Sequence, residues 1–406
     1  MKFKKSKYTT YLSLLLGFVT FACLAQPTIQ KSDDSNKKIK SGAAILIENF
    51  DQYAPILKNK NIGIVTNQTG VVGEKHIIDL LLNKGIKITR IFSPEHGFRG
   101  DADAGETVVN GKDTKTGIEI VSLYGNNKKP LPNQIEDLDI ILFDIQDVGV
   151  RFYTYISSLA YVMEAVAEHQ KKIIVLDRPN PNGHYIDGPI VKKEFSSYVG
   201  MHPVPIVYGM TIGEYAKMVN GEKWLKNGIK SDLTIIKLEN YTHQSFYSLP
   251  IKPSPNLPND VAINLYPSTC FFEGTNVSEG RGTNKQFQVY GSPYLKNMDF
   301  SFIPQPNFGS KMPRYKDETC FGEDLSHTPR LNKISLAWLI KAYKNNTKKP
   351  FFTQEKDGSY WIDKLYGNSD LRKHIEKGLT ESQIKATWKT DLEKFKKIRV
   401  KYLLYP

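Results

Sequence analysis

From Ile45 onward, apolar runs rich in β-branched residues alternate with stretches whose apolar positions recur at helical spacing, the pattern of a mostly parallel sheet covered by helices. NIGIVT at 61–66, IKITRIF at 86–92, LDIILF at 138–143 and KIIVL at 172–176 are apolar almost throughout, as strands buried on both faces are. The stretches 75–84 and 157–170 place Ile, Leu, Val and Met on one helical face and are expected to cover the sheet. A further helix opens at 210–214 and runs to 220, and a strand follows near 233–238. LPIKPSPNLP at 249–258, with four prolines, predicts a stiff crossing into a second region, where helical patterns return at 335–343, 370–377 and 381–399. The expected architecture is α/β: a Rossmann-like mostly parallel sheet domain over 42–250, followed by a smaller α+β domain over 251–406 that closes a cleft. A chain of 406 residues exceeds the usual single core, so two domains are expected.

Chemistry is expected at one rim of that sheet, because open α/β sheets bind ligands outside the carboxyl ends of their strands. Directly after the four strands come Asn67-Gln68-Thr69-Gly70, Ser93-Pro94-Glu95-His96-Gly97, Asp144-Ile145-Gln146-Asp147-Val148-Gly149 and Asp177-Arg178-Pro179-Asn180-Pro181-Asn182-Gly183. Glu95, between a proline and an aromatic turn, is placed to be a partly desolvated general acid, with His96 and Asp144 as further catalytic candidates. The plainer alternative for Glu95 is a helix cap or a pair with Arg99. The run 143–155 mixes acids, an amide, an arginine and aromatics, which suits a sugar with its hydroxyls and apolar faces; pairing of Asp147 with Arg151 is the structural alternative. Candidate substrate contacts are therefore Asn67, Arg99, Gln146, Asp147, Arg151, Tyr153, Asp177, Arg178 and Asn180, with Glu273 and Arg281 from the Gly/Ser/Thr-rich stretch 273–283.

The carboxylates Asp101, Asp103 and Glu106 lack the spacing of a calcium loop and read as a solvated acidic loop. His96, His184 and His202 form no H-x-x-x-H arrangement, so no metal is expected. There is no G-x-S-x-G turn and no G-x-G-x-x-G loop, which argues against a common serine hydrolase and against dinucleotide binding; no cofactor is expected.

The amino terminus changes where this chemistry takes place. Four lysines within the first seven residues precede an apolar stretch over 11–25, shorter than the ~20 residues of a spanning helix, so 1–25 reads as a secretory leader and 26–41 as a flexible mature terminus. Cleavage after Ala25 is the favoured reading. Lipidation of Cys23 is the alternative, with 31–40 as a membrane tether, although Thr20-Phe21-Ala22-Cys23 is a poor lipidation box. Removal of the leader lysines lowers the formal charge from +13 to +9. For an exported basic chain the anionic partners are envelope glycans and membrane surfaces, not nucleic acid; a solvated lysine-rich surface is the plainer alternative. Only Cys270 and Cys320 then remain, enough for one disulfide at most.

Taken together, SPEHGFRGDADAGE from Ser93, FDIQDVGVRFYTYISSL from Phe143, LDRPNPNG from Leu176, PSPNLPN from Pro253 and FEGTNVSEGRGT from Phe272 resemble the exo-β-N-acetylmuramidases, the NamZ-like glycoside hydrolases. The resemblance extends over roughly 41–406. It implies a Rossmann-like domain, a smaller C-terminal domain and a cleft between them that releases terminal N-acetylmuramic acid from non-reducing ends of peptidoglycan fragments. It also implies that the catalytic glutamate is Glu95. The second carboxyl stays open among Asp144, Asp147, Asp101 and Glu273, and the substrate's 2-acetamido group offers a route needing no protein nucleophile. A site selective for muramic acid needs a cation for its lactyl carboxylate, for which Arg151, Arg281 and Arg99 are the candidates. The competing readings are a non-catalytic muropeptide-binding envelope protein and a metal-dependent hydrolase using His96 with Asp101 or Asp103.

Overall fold

The computed structural model describes residues 37–95, 97–98 and 110–406, so the leader, Cys23, His96, Arg99, Asp101, Asp103 and Glu106 lie outside the described residues. The predicted strands are present as β1 (Ile62–Thr66), β4 (Ile88–Ser93), β7 (Ile140–Asp144), β8 (Lys172–Leu176) and β9 (Asp232–Ile236), with a two-residue hairpin, β2 (Val71–Val72) and β3 (Lys75–His76), after β1. Two strands join them that the apolar pattern does not predict, β5 (Gly111–Lys112) and β6 (Glu119–Ser122). The sheet order is β5-β6-β4-β1-β7-β8-β9, parallel except for the β5-β6 pair.

Alternation along the strands divides the core. Ile140 and Leu142 of β7, with Ile174 and Leu176 of β8, face α1 (Gly42–Glu48), α2 (Phe50–Leu57) and α3 (Ile77–Asn83). Their neighbours Ile141, Phe143, Ile173 and Val175 face α5 (Tyr155–Glu168) and α6 (Ile212–Gly221). Each strand thus buries both faces, which is why these runs read as continuously apolar. The second apolar cluster continues past the proline-rich crossing through α7 (Asp260–Thr269) to Trp388, Leu392 and Phe395 near the carboxyl terminus.

The C-terminal part has its own antiparallel sheet, β10 (Val289–Ser292), β11 (Phe300–Phe302) and β12 (Cys320–Asp324), with β12 central. The helical pattern over 381–399 is two helices, Glu381–Ala386 and Lys389–Arg399. The break brings in Trp388, which is buried and donates from its indole N–H to Asp187 Oδ1 at 3.2 Å. Cys270 and Cys320 are buried free thiols, so the disulfide allowed by their number is not formed. No helix among the described residues is long and apolar enough to cross a membrane.

Candidate active site

A cleft of about 1340 Å³ opens where the carboxyl ends of β4 and β6 and the first turn of α5 meet elements of the C-terminal part. Glu95 leaves β4 two residues past its end. Its Oε1 accepts from the Tyr124 hydroxyl at 3.0 Å, its Oε2 from Thr154 Oγ1 at 3.3 Å, and its main-chain carbonyl from the Tyr155 hydroxyl at 3.4 Å. A hydroxyl can donate to a carboxylate or accept from a carboxylic acid, so the same cradle holds Glu95 in both protonation states. Burial, with the Glu95 charge adding to it, pushes the Tyr155 and Tyr198 phenols well above their ordinary range, so both remain protonated.

Glu273 lines the same cleft from the C-terminal part. Arg281 donates to it at 2.8 Å and, through its Nε, to Glu279 at 2.8 Å, while its guanidinium lies 5.1 Å from the Phe287 ring centroid. Burial works against the Arg281 charge, but the two carboxylates outweigh it and hold its pKa above the ordinary arginine range. Trp361 Nε1 approaches the other Glu273 oxygen at 3.3 Å.

Of the residues singled out in the sequence, the cleft is lined by Glu95, Tyr153, Glu273 and Arg281. Tyr153 presents little surface, since its hydroxyl donates to the Pro253 carbonyl at 2.7 Å and its ring meets Tyr155 edge-on at 4.9 Å. The remaining described candidates do not line the cleft and are tied into the framework around it. Asp144 is closed off by a bidentate pair with Arg178, at 2.6 and 2.9 Å, so neither residue faces the cleft. Gln146 donates to the carbonyls of Asp147 and Pro179. Asp147 accepts from Tyr208 and from the Gly149 N–H, and burial raises its pKa to about 7. Gly149 has φ of +74°, and a Cβ there would stand 2.2 Å from Asn180 Oδ1, so that turn requires glycine.

Arg151 is fully buried and donates to the carbonyls of Pro189, Val204, Leu365 and Tyr366. It neither pairs with Asp147 nor reaches the cleft. Asp177 accepts from Tyr405, Thr211 and the Gly213 N–H, and Asn180 ties Met210 to Asn182. Asn67 lies one step below the site: its Nδ2 donates at 2.9 Å to the Tyr155 hydroxyl that supports Glu95. Sequence reasoning missed Tyr124, Lys128, Tyr198, Arg314 and Trp361, all of which line the cleft. The usable signal was EIVSLYG at 119–125, a short strand whose end delivers Tyr124; nothing in the pattern marks Tyr198 or Trp361.

A cleft surfaced by tyrosine, phenylalanine and tryptophan rings, with a cradled carboxyl on one wall and a braced carboxylate on the other, has the make-up of a glycoside hydrolase site. Comparison with known proteins narrows the class. Residues 62–261 match the family described as exo-beta-N-acetylmuramidase NamZ, N-terminal, and residues 264–405 match its C-terminal counterpart, so the chain belongs to the exo-β-N-acetylmuramidase NamZ family. It is 37% identical over 420 residues to the peptidoglycan beta-N-acetylmuramidase NamZ of Bacillus subtilis (strain 168), covering 98% of this chain and 99% of that protein. Among solved structures, a DUF1343 family protein of Bacteroides fragilis NCTC 9343 superposes with a TM-score of 0.82 at 47% identity, covering 91% of this chain and 99% of that one. A second from the same organism does so with 0.76 at 28% identity and the same coverage.

Proposed function

We propose that this chain releases terminal N-acetylmuramic acid from the non-reducing ends of peptidoglycan fragments, with Glu95 as the group that protonates the departing glycosidic oxygen. The observation that carries the assignment is the cradle: a cleft-lining carboxyl held by the hydroxyls of Tyr124 and Thr154 in a pose suited to both halves of an acid–base cycle. As the bond from C1 to the leaving oxygen breaks, the Glu95 proton passes to that oxygen. The resulting carboxylate then takes a proton from the water that completes hydrolysis. Positive charge developing at the anomeric carbon is met from the other wall by Glu273, or by the substrate's own 2-acetamido carbonyl. The deciding experiment incubates the protein with a chromogenic β-N-acetylmuramide and the matching β-N-acetylglucosaminide. Release from the muramide is expected, and activity on neither overturns the proposal.

The basic start and apolar stretch of the leader support export, with cleavage after Ala25, as the setting in which the chain meets its substrate. Amino-terminal sequencing of the protein secreted from cells expressing the full chain should begin at Gln26. A lipid-modified Cys23 at that position would replace this reading with a tethered one.

A further inference from the structure

Muramic acid differs from glucosamine by its lactyl carboxylate, so the reading above requires a cation in the cleft; the inference below rests on that reading. Among the described residues, the arginines do not supply a free one. Arg151 is buried under four carbonyls, and Arg281 stands between Glu273 and Glu279, a group whose formal charges already sum to an excess of negative. Arg314 donates to the carbonyls of Thr275, Val277 and Glu273. Each of these guanidiniums shapes the wall it belongs to.

Lys128 is different. It lines the cleft on the loop after β6 that also carries Tyr124, the hydroxyl donor to Glu95. That loop is held from below, where Asn127 Nδ2 donates to the Ser122 carbonyl at 3.0 Å. The next residue, Lys129, turns away to Glu164 and Glu168 at 2.7 and 2.6 Å and anchors the loop to α5. Lys128 makes no ion pair among the described residues. Its ammonium instead lies 4.5 Å from the centroid of the Tyr198 ring, and Tyr198 is itself fastened through its hydroxyl to Ser158 of α5. A contact with a ring face positions an ammonium while leaving its N–H donors available. Of two consecutive lysines, one is consumed by the scaffold and the other is held on a ring face in the cleft that Glu95 lines, with no ion pair among the described residues.

We propose that Lys128 is the residue that reads the lactyl carboxylate of the terminal N-acetylmuramic acid. Lys128 is only half-buried, so its contribution is moderate and screened by salt, unlike that of an enclosed arginine fork. Lys311 and Lys364 are the other lysines that line the cleft, and Lys364, on the helix Trp361–Tyr366, is the natural control.

The test compares wild type, Lys128→Met, Lys128→Arg and Lys364→Met with both chromogenic glycosides and, by calorimetry, with free N-acetylmuramic acid and N-acetylglucosamine. Lys128→Met is expected to lower kcat/KM on the muramide about ten- to a hundredfold, mainly through KM, and to narrow the muramide-to-glucosaminide ratio by a similar factor. Lys128→Arg should recover most of the loss, and rising salt should narrow the wild-type ratio but leave that of Lys128→Met unmoved. A muramide carrying a lactyl methyl ester should be handled alike by wild type and Lys128→Met. An unchanged ratio in a Lys128→Met protein of normal thermal midpoint overturns the assignment, as does a narrowed ratio in Lys364→Met alone. The calorimetric arm separates the two levels of the argument: wild type that cleaves neither glycoside defeats the proposed activity, whereas Lys128 is judged by whether Lys128→Met loses affinity for the muramic acid and not for the glucosamine.

Discussion

Glu95 and Asp144 both stand at the carboxyl end of a strand, yet one lines the cleft and the other is locked to Arg178. Sequence shows that a polar residue leaves a strand end; which way its side chain turns depends on the loop's path and on partners far along the chain. Glu95 was legible because it stands between a proline and an aromatic turn just past its strand, whereas 144–151 carries several polar residues of which some must build the turn. Arg151 is hard to read from sequence for a related reason, since a buried arginine and a substrate-binding arginine look alike until four carbonyls converge on one of them. At this scale the first expectation is that Glu95→Gln, which retains shape but cannot give a proton, lowers turnover on the muramide by ~10²–10⁴ with the thermal midpoint unchanged. Tyr124→Phe removes one of the cradle's donors while Thr154 remains, so its loss should be smaller, about tenfold. Steady-state kinetics on purified variants checks both, and near-normal turnover in Glu95→Gln would remove that residue from the chemistry.

Elements were legible where burial on both faces left no ambiguity. β1, β4, β7 and β8 each appear within two residues of where the apolar runs predict them, because the covering helices demand apolar side chains on both sides. β6 was not, since its first residue is exposed and only Val121 and Ser122 are buried, too few to make a pattern. The C-terminal sheet was hidden similarly: in β11 no residue is fully buried, and in β12 exposed Phe321 interrupts the alternation. The carboxyl-terminal tail offers a test at the level of elements. Tyr405 donates to Asp177, just beyond β8, and accepts from the Leu238 N–H, just beyond β9, at 2.7 and 2.8 Å. Tyr405→Phe leaves both groups short of a partner in a buried place. It should cost about 1–3 kcal/mol, read as a lowered denaturant midpoint with the m-value retained.

For the molecule as a whole, the buried carboxyls set how stability varies with pH. Burial raises Asp147 to about 7 and Asp177 to about 6 from an ordinary 3.8, and the hydrogen bonds each accepts only partly offset this. Between those values the folded chain keeps protons that the unfolded chain has released. Their contribution to stability is therefore fully present below pH of about 4 and declines as pH rises through 6 and 7. Asp147→Asn should flatten that decline. Thermal midpoints measured from pH 4 to 8 would show its slope reduced relative to wild type, and parallel curves would mean that Asp147 is ionised in the folded protein.

Arg151 is one of the groups that tie the sheet region to the C-terminal part. Two of its acceptors, Pro189 and Val204, belong to the region after β8, and the other two, Leu365 and Tyr366, end the helix that carries Trp361 and Lys364. Gly367, with φ of +87° and Arg151 Nη2 2.9 Å from where its Cβ would be, closes the joint. A cross-brace of this kind opposes any swing of that helix away from the sheet, so the site is ready before ligand arrives. Ligand capture should then be a single encounter: in stopped-flow mixing with N-acetylmuramic acid, the observed rate should climb linearly with concentration, without the plateau that a slow rearrangement would impose.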